Sequence, residues 1–479
     1  MPKFQDIFFK YTDADEECRR HPELFEEAYV DINAILKNIR SPEKFMVIGP
    51  KGAGKTALSA KLSLQGANSW DIFVNSDILE QFEYQLLEKT GGGKQLGGSI
   101  SVWQLLLFLR LLPVFLCDEN FCSKNNRLVS FEATLKKYGF VESSSLLKIV
   151  QYTSRRGVYA SFKKAFADIQ GKIEDEKEYK IKDPSALLNS IKEEFKTLSP
   201  TQSSYYLLLD GLDCTLRAGR NHSSKIVDLI NASRELNLYF SSLGIDAKVI
   251  ILIRDDVIKI LPDPNLTKRM VDNGVQLRWY DNTRAPFDTN LLEIIEKRAH
   301  LAGFDGSIKE LWRSWFPKII HGKDSLYFVL TNTRYLPRDL ISFFRELQNF
   351  SKEPPFSEID VLSALNNYSD WFHQELQDAL VGFVGENIRT EISDIITDLG
   401  KNFSIQEFQE ALINLGLISE NQKATQIARV LFNASWVGNS WEIDGKRRYS
   451  WRHRKTNAKL SSKHRLEVHT GLWKTLNLI

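Results

Sequence analysis

Apolar and polar positions along this chain follow two periods. From Glu23 to Ile39 the apolar residues Phe25, Tyr29, Ile32, Leu36 and Ile39 recur every three or four positions, which predicts one amphipathic helix ended by Pro42. Tyr205 to Leu209 and Lys248 to Ile253 are instead continuous apolar runs, the pattern of strands buried on both faces. Phe45 to Ile48 is a third short run that leads straight into glycines, followed by a predicted helix from about Lys55 to Leu64, and Asp71 to Val74 reads as a further strand. Strands alternating with helical stretches predict an α/β domain with a parallel sheet. Val102 to Cys117 is the most apolar stretch, but Gln104, Arg110 and Pro113 interrupt it, so it reads as a buried helix and not as a membrane span.

Beyond Pro262 the pattern turns helical, with helices expected over Leu291 to Ala302 and Asp339 to Phe350. Residues 99–170 also read as mostly helical, Gly91 to Gly98 as a glycine-rich loop, and Lys172 to Lys182 as a solvated, charge-dense linker or helix face. A linker is expected near 385–400, from Gly385 onward. After it, Ser404 to Glu407 forms a capping box that opens a helix. A second helix over Gln422 to Asn433 follows, and then two strands, Trp441 to Asp444 and Tyr449 to Trp451, turning at Gly445. The expected organisation is an N-terminal helical segment (1–44), an α/β core (45–262), a helical lid (263–385) and a small α+β unit (386–479).

The chain has 479 residues, enough for two to four domains at about 100–200 residues each. Its net charge is +2, so any nucleic-acid site must be a local patch. Cys18, Cys117, Cys122 and Cys214 form no C-x-x-C pair and no ligand spacing with histidine, which suits a reducing, cytoplasmic interior and no structural metal. The first ten residues lack the charged-then-apolar pattern of a signal peptide.

The chemistry is concentrated at Gly49-Pro50-Lys51-Gly52-Ala53-Gly54-Lys55-Thr56, which fits G-x-x-x-x-G-K-[ST] at every position. Glycines let a backbone wrap closely around phosphate with its N–H groups turned inward. The following helix presents its N-terminal dipole to the same anion. Lys55 is placed to reach the β- and γ-phosphates, and the Thr56 hydroxyl to coordinate Mg²⁺. A second acidic motif, Asp210-Gly211-Leu212-Asp213, ends the run Leu207 to Leu209. Asp210 sits at the sheet edge where open α/β folds bind ligands, and is the candidate for holding Mg²⁺ through water. Asp213 is the candidate general base for an attacking water. The alternative for both is a capping role at the strand end and the next helix.

These residues resemble the AAA-like P-loop ATPases, specifically the STAND, KAP and origin-recognition-like branches, over roughly residues 10–350. The resemblance implies a P-loop NTPase parallel sheet with a helical lid and a small winged-helix-like α+β domain at the C-terminus. It implies a polar sensor at the end of the next strand, where Arg254 stands in Val249 to Asp256. It also implies a lid arginine near a Pro-Arg-Asp sequence, where Arg338 stands in Thr333 to Asp339. A guanidinium's fixed fork of donors suits the charge that phosphoryl transfer spreads over phosphate oxygens. The alternative for both arginines is an ion pair at a surface or domain interface. Asp213 stands where the motor branch more usually has glutamate, and its shorter reach makes a slow switch as suitable as a motor. Arg217 and Arg220 follow the motif as candidates for action across a subunit interface, with solvated surface arginines as the other reading.

The C-terminal unit carries Lys446, Arg447, Arg448, Arg452, Arg454 and Lys455 around Tyr449 and Trp451, with Lys459, Lys463 and Arg465 beyond. Such a stretch suits a nucleic-acid backbone, but winged-helix units also dock proteins, and both remain open at this level. His453, His464 and His469 have no ligand spacing and read as surface or packing residues. The expected function is an ATP- and Mg²⁺-using switch, hydrolysing ATP, that couples nucleotide state to a nucleic acid or an effector protein. A homo-oligomer or hetero-complex is expected, with no membrane. A place in prokaryotic antiviral defence is implied by the resemblance alone. The alternatives are a non-hydrolysing ATP-bound scaffold and a small-molecule kinase, for which no acceptor-binding signature is present. No Asn-Lys-x-Asp base-reading motif occurs, which favours ATP over GTP.

Overall fold

The computed structural model describes residues 3–78, 99–129, 184–212, 223–350, 353–419, 423–455 and 457–478. The glycine-rich loop at 91–98, the charged run Lys172 to Lys182, and Asp213, Arg217 and Arg220 lie outside the described residues. The chain divides into two compact units.

The first unit comprises Ala34–Ile48 and Leu58–Gln276. Its centre is a parallel five-stranded sheet of β1 (Met46–Gly49), β2 (Ile72–Ile78), β3 (Ser204–Asp210), β4 (Asp246–Arg254) and β5 (Gly274–Gln276), in the order β2-β3-β4-β1-β5. Tyr205 to Leu209 and Ala247 to Arg254 are buried throughout, as their unbroken apolar runs require. The helix Ser99–Leu116 is the apolar stretch noted above. It packs as a core helix, with Phe108 against Phe195 (4.9 Å) and Phe115 against Tyr205 (4.6 Å). Among the described residues, no helix is long and apolar enough to cross a membrane. Lys248, buried on β4, donates to the carbonyls of Ile39 (2.9 Å) and Ser41 (2.6 Å) at the end of the helix Ile35–Arg40. Burial lowers its pKa to about 8.

The second unit comprises Met1–Asn33, Gly49–Ala57 and Leu277–Ile479. Phe4 near the N-terminus packs edge-on against Trp315 (5.1 Å) and Phe356 (4.9 Å). Glu17 takes two hydrogen bonds from Arg298 (2.7 and 3.0 Å), a pair buried on both sides. The helical region runs through Asn290–Leu301, Ile308–Trp315, Ser325–Thr331, Pro337–Phe350 and Glu358–Leu380, with a two-residue pair β6 (Ile319–Ile320) and β7 (Lys323–Asp324) between.

The C-terminal part is winged-helix-like. Helices Glu386–Leu399, Ile405–Asn414 and Thr425–Asn433 pack with a sheet of order β10-β9-β11-β8, made of β8 (Asn402–Phe403), β9 (Val437–Ile443), β10 (Lys446–Ser450) and β11 (Arg465–Val468). Ser404 and Glu407 form the expected capping box. The hairpin turns on Asp444 and Gly445, both at positive φ (52° and 69°), the geometry of a two-residue turn that matches strand twist. This part docks closely on the long helix Glu358–Leu380: Trp436 Nε1 donates to Leu376 O at 3.1 Å, and Ser369 Oγ to Gly471 O at 2.6 Å.

Two sequence expectations are corrected. The single helix over Glu23 to Ile39 is two, Pro22–Ala28 and Ile35–Arg40. Asn33 and Ala34 are left-handed (φ 53° and 52°) and break it, and asparagine enters that region more readily than most side chains. The linker expected near 385–400 is the helix Glu386–Leu399. Its buried Ile392, Ile395 and Ile396 carry a helical period short enough to be masked by the acidic residues around it.

Candidate functional site

The phosphate loop leaves the end of β1 and enters the helix Lys55–Ala67. Gly52 (φ 87°) and Gly54 (φ 91°) take the left-handed conformation that a side chain would strain. A Cβ on Gly49 would stand 3.0 Å from Leu277 Cβ and 3.2 Å from Ala53 Cβ, so a side chain at the loop's first residue would make its neighbours shift. Ala53 is fully buried, and its carbonyl accepts from Trp279 Nε1 at 2.8 Å. Lys55 is also buried, its ammonium donating to Gly49 O (3.1 Å) and Pro50 O (3.0 Å). A side chain so held lies along the inside of its own loop.

Arg338 stands in the first turn of the helix Pro337–Phe350, and the structure sets it on the phosphate loop. Its backbone N–H is 3.5 Å from Gly52 O. A Cβ on Gly52 would lie 3.3 Å from Arg338 Cβ and 3.7 Å from Leu336 Cδ1. The loop before this helix is locked from within. Asp339 accepts from Arg334 Nε (2.9 Å), Arg334 Nη2 (2.6 Å) and the Arg334 backbone N–H (2.9 Å), and both residues are buried. Burial opposes the Arg334 charge, but Asp339 outweighs it and holds the guanidinium above its ordinary pKa.

One carboxylate joins this loop to the phosphate loop. Glu375, on the helix Glu358–Leu380, lies 3.2 Å from Lys51 Nζ and 3.2 Å from Arg338 Nη1, with Arg334 Nη2 at 3.9 Å. Asp378, one turn on, adds a 3.6 Å approach to Lys51. Burial pushes the Glu375 carboxyl up, but Arg334, Lys51 and Arg338 together hold it below its usual range. Sequence reasoning missed Glu375 and Trp279. Nothing local marks a glutamate inside a long amphipathic helix as a partner of a loop so distant in sequence.

In the sheet-centred unit, Asp210 ends β3 and accepts from the Gly211 N–H at 2.7 Å. The parallel register puts it on the same sheet edge as Ile48, the residue before the phosphate loop. Asp77, near the end of β2, pairs with Arg110, a contact that sequence reasoning also missed. Arg254 ends β4, where Asp256 accepts from its Nε at 2.9 Å and from its Nη2. It is nearly buried, and part of its fork is therefore committed to a neighbour two residues on.

The C-terminal basic residues separate into two groups. Lys446, Arg447 and Arg448 lie exposed on β10, and Lys455 is exposed beyond it. Arg447 lies 3.7 Å from Glu467. Arg452 is buried, which corrects its place in the expected phosphate-binding patch: a guanidinium inside the fold is not presented to a polyanion. Arg454 lies over the Tyr335 ring at 5.2 Å, on the loop that carries Arg338. Trp451 is buried against His469 (5.3 Å), whereas Tyr449 stays half exposed. His464 stacks on Trp441 (4.6 Å) and His453 faces Tyr335 (6.2 Å).

Comparisons with known proteins bear on part of the chain. Residues 289–377 match the model of the FunZ-associated C-terminal helical domain, a segment that holds Arg334, Arg338, Asp339 and Glu375. No curated protein matches the chain. Two solved structures align over nearly its whole length. One is Cdc6p from Pyrobaculum aerophilum, 11% identical, covering 95% of each chain at a TM-score of 0.30. The other is the Aeropyrum pernix ORC1 protein in complex with DNA, 12% identical, covering 96% of each chain at a TM-score of 0.38. Likenesses of that size carry no argument about function. The P-loop NTPase α/β fold stands on the parallel sheet, the loop after β1 and the helices around them.

Proposed function

We propose that this chain is an ATP-binding, ATP-hydrolysing switch that couples its nucleotide state to a nucleic acid or an effector protein. The observation that carries this reading is the seat of Arg338 on Gly52: the lid helix begins on the phosphate loop itself. The loop fits a polyphosphate, since a side chain would crowd its neighbours at Gly49 and be strained at Gly52, and Lys55 lies along its interior. The backbone N–H groups of Lys51, Gly52 and Gly54 and the Lys55 ammonium would hold the phosphates, the Ala53 N–H donating instead to Pro50 O. Thr56 and Asp210 are the proposed Mg²⁺ ligands, and the bound ion would offset phosphate charge. Asp213 is proposed as the base that orients water, and Arg254 and Arg338 as the sensors of the terminal phosphate. A change at Arg338 would pass to the C-terminal part through Tyr335, on which Arg454 lies. Exposed Lys446 and Arg448, which share one face of the edge strand, support nucleic acid as partner because such cations suit backbone phosphates, while Arg447 alternates to the other face beside Glu467. Assembly with further copies or an effector, and a role in defence, belong to the same proposal through the family resemblance.

The test is phosphate release by wild type, Lys55→Ala and Asp213→Ala, each with and without double-stranded DNA. Turnover in wild type that both variants lose supports the ATPase reading, and DNA stimulation assigns the basic hairpin to nucleic acid. Bound ATP with no turnover under any condition replaces it with the non-hydrolysing scaffold.

A further inference from the structure

We propose that Glu375 is a positioning residue of the nucleotide site, whose carboxylate competes with the terminal phosphate of a bound nucleotide for Lys51 and Arg338. The inference rests on the reading of the loop as a nucleotide site and adds an internal rival for its phosphate.

Three observations lead there. First, the short contacts of the buried Glu375 go to cations other than the deepest one, although Arg334 also helps to hold its carboxyl low. Arg334, the deepest cation nearby, is already satisfied by the two-pronged Asp339 bond, and its approach to Glu375 is the longest of the three. Second, the two cations that Glu375 does hold closely come from the phosphate loop and from the lid helix seated on it. Lys51 Nζ and Arg338 Nη1 converge on one carboxylate at the same distance, 3.2 Å. Third, those cations keep access to solvent, with side chains 24% and 30% exposed, while Glu375 is 10% exposed. The carboxylate is therefore the buried partner, and the two cations are the groups that a ligand in solvent can reach.

The chemistry of such a site is anion exchange. A carboxylate and a phosphate oxygen recruit the same donors, and a guanidinium forks onto either. A terminal phosphate carries more charge than one carboxylate, so it would draw Arg338 and Lys51 away from Glu375. A diphosphate has one phosphoryl group fewer with which to compete. Glu375 would thus widen the difference in how the lid meets the two nucleotides, at a cost in affinity that falls mostly on the triphosphate.

The experiment measures dissociation constants for ATPγS and ADP, by calorimetry, on the full chain as wild type, Glu375→Gln and Glu375→Gln combined with Arg338→Met. Glu375→Gln is expected to tighten ATPγS relative to ADP roughly five-fold, and the Arg338→Met background to remove most of that gain. Glu375→Asp keeps the charge beside Arg334 but withdraws it by one methylene, and serves if the glutamine variant does not fold. It is expected to move the ratio in the same direction by less. An unchanged ATPγS to ADP ratio in both variants, with wild type binding both nucleotides, overturns the role of Glu375 alone. A wild type that binds neither nucleotide overturns the nucleotide-site reading and this inference with it.

Discussion

Arg334 and Asp339 meet in a two-pronged hydrogen bond, at 2.9 and 2.6 Å, with 4% and 0% of their surfaces exposed. This contact sets the direction of the chain between Thr333 and Pro337, and so decides where Arg338 begins its helix. Removing one side of a buried pair strands the other charge away from water, which costs about 3–5 kcal/mol. Asp339→Asn keeps the shape and loses the charge, and is expected to lower stability by about that amount in urea unfolding. It should also weaken nucleotide binding under conditions where the variant is still folded.

Gly52 offers a sharper probe of the loop. Its φ of 87° lies where a side chain is strained, and a Cβ there would crowd Arg338 Cβ at 3.3 Å. Gly52→Ala is expected to cost about 1–2 kcal/mol from the backbone alone. Nucleotide affinity should fall by more than the loss of stability explains, because the same atom pushes on Arg338. Titration of a fluorescent ATP analogue against the folded variant checks this.

A pH dependence follows from His469. Burial is the largest cause that holds its imidazole down, at about 3, with Arg454 and then Arg334 adding to it. His453 packs beside it at 5.2 Å and is held low in the same way, by burial, His469 and the same two arginines. The unfolded chain takes up protons near pH 6.5, while the folded chain keeps His469 neutral until far lower pH. Stability is therefore complete above about pH 6.5 and declines as pH falls towards 3. His469 alone should remove about 2 kcal/mol between pH 7 and pH 5. His469→Gln is expected to flatten that part of the profile, read as urea midpoints at each pH.

The two groups of basic residues should behave differently. Replacing Lys446, Arg447 and Arg448 with glutamine is expected to weaken double-stranded DNA binding across all sequences and to lower the salt slope by up to about three. The melting temperature should change little, because these side chains are exposed on an edge strand and only the long Arg447–Glu467 pair at 3.7 Å is lost. Arg452→Ala should do the reverse, lowering stability through a buried position and leaving the DNA salt slope unchanged. Equal effects of the two changes on the salt slope would contradict this division.

Much of the molecule was legible along the chain, for physical reasons specific to each part. Glycines, a lysine and a hydroxyl at fixed spacing mark the phosphate loop, because only that local geometry brings so many N–H groups to one anion. Unbroken apolar runs marked β3 and β4, and Gly445 marked the hairpin turn, though Asp444, read as strand, belongs to the turn as well. Each of these is a short-range property, fixed by neighbours within a few residues. The break at Asn33 and Ala34 was not legible, since the apolar period runs through it without interruption. Nor was it evident that Glu375 receives Lys51 and Arg338, that Trp279 caps Ala53, or that Arg452 is inside while Arg448 is outside. Those outcomes depend on which distant segments fold against one another, and only burial decides whether a given charge meets water or a partner.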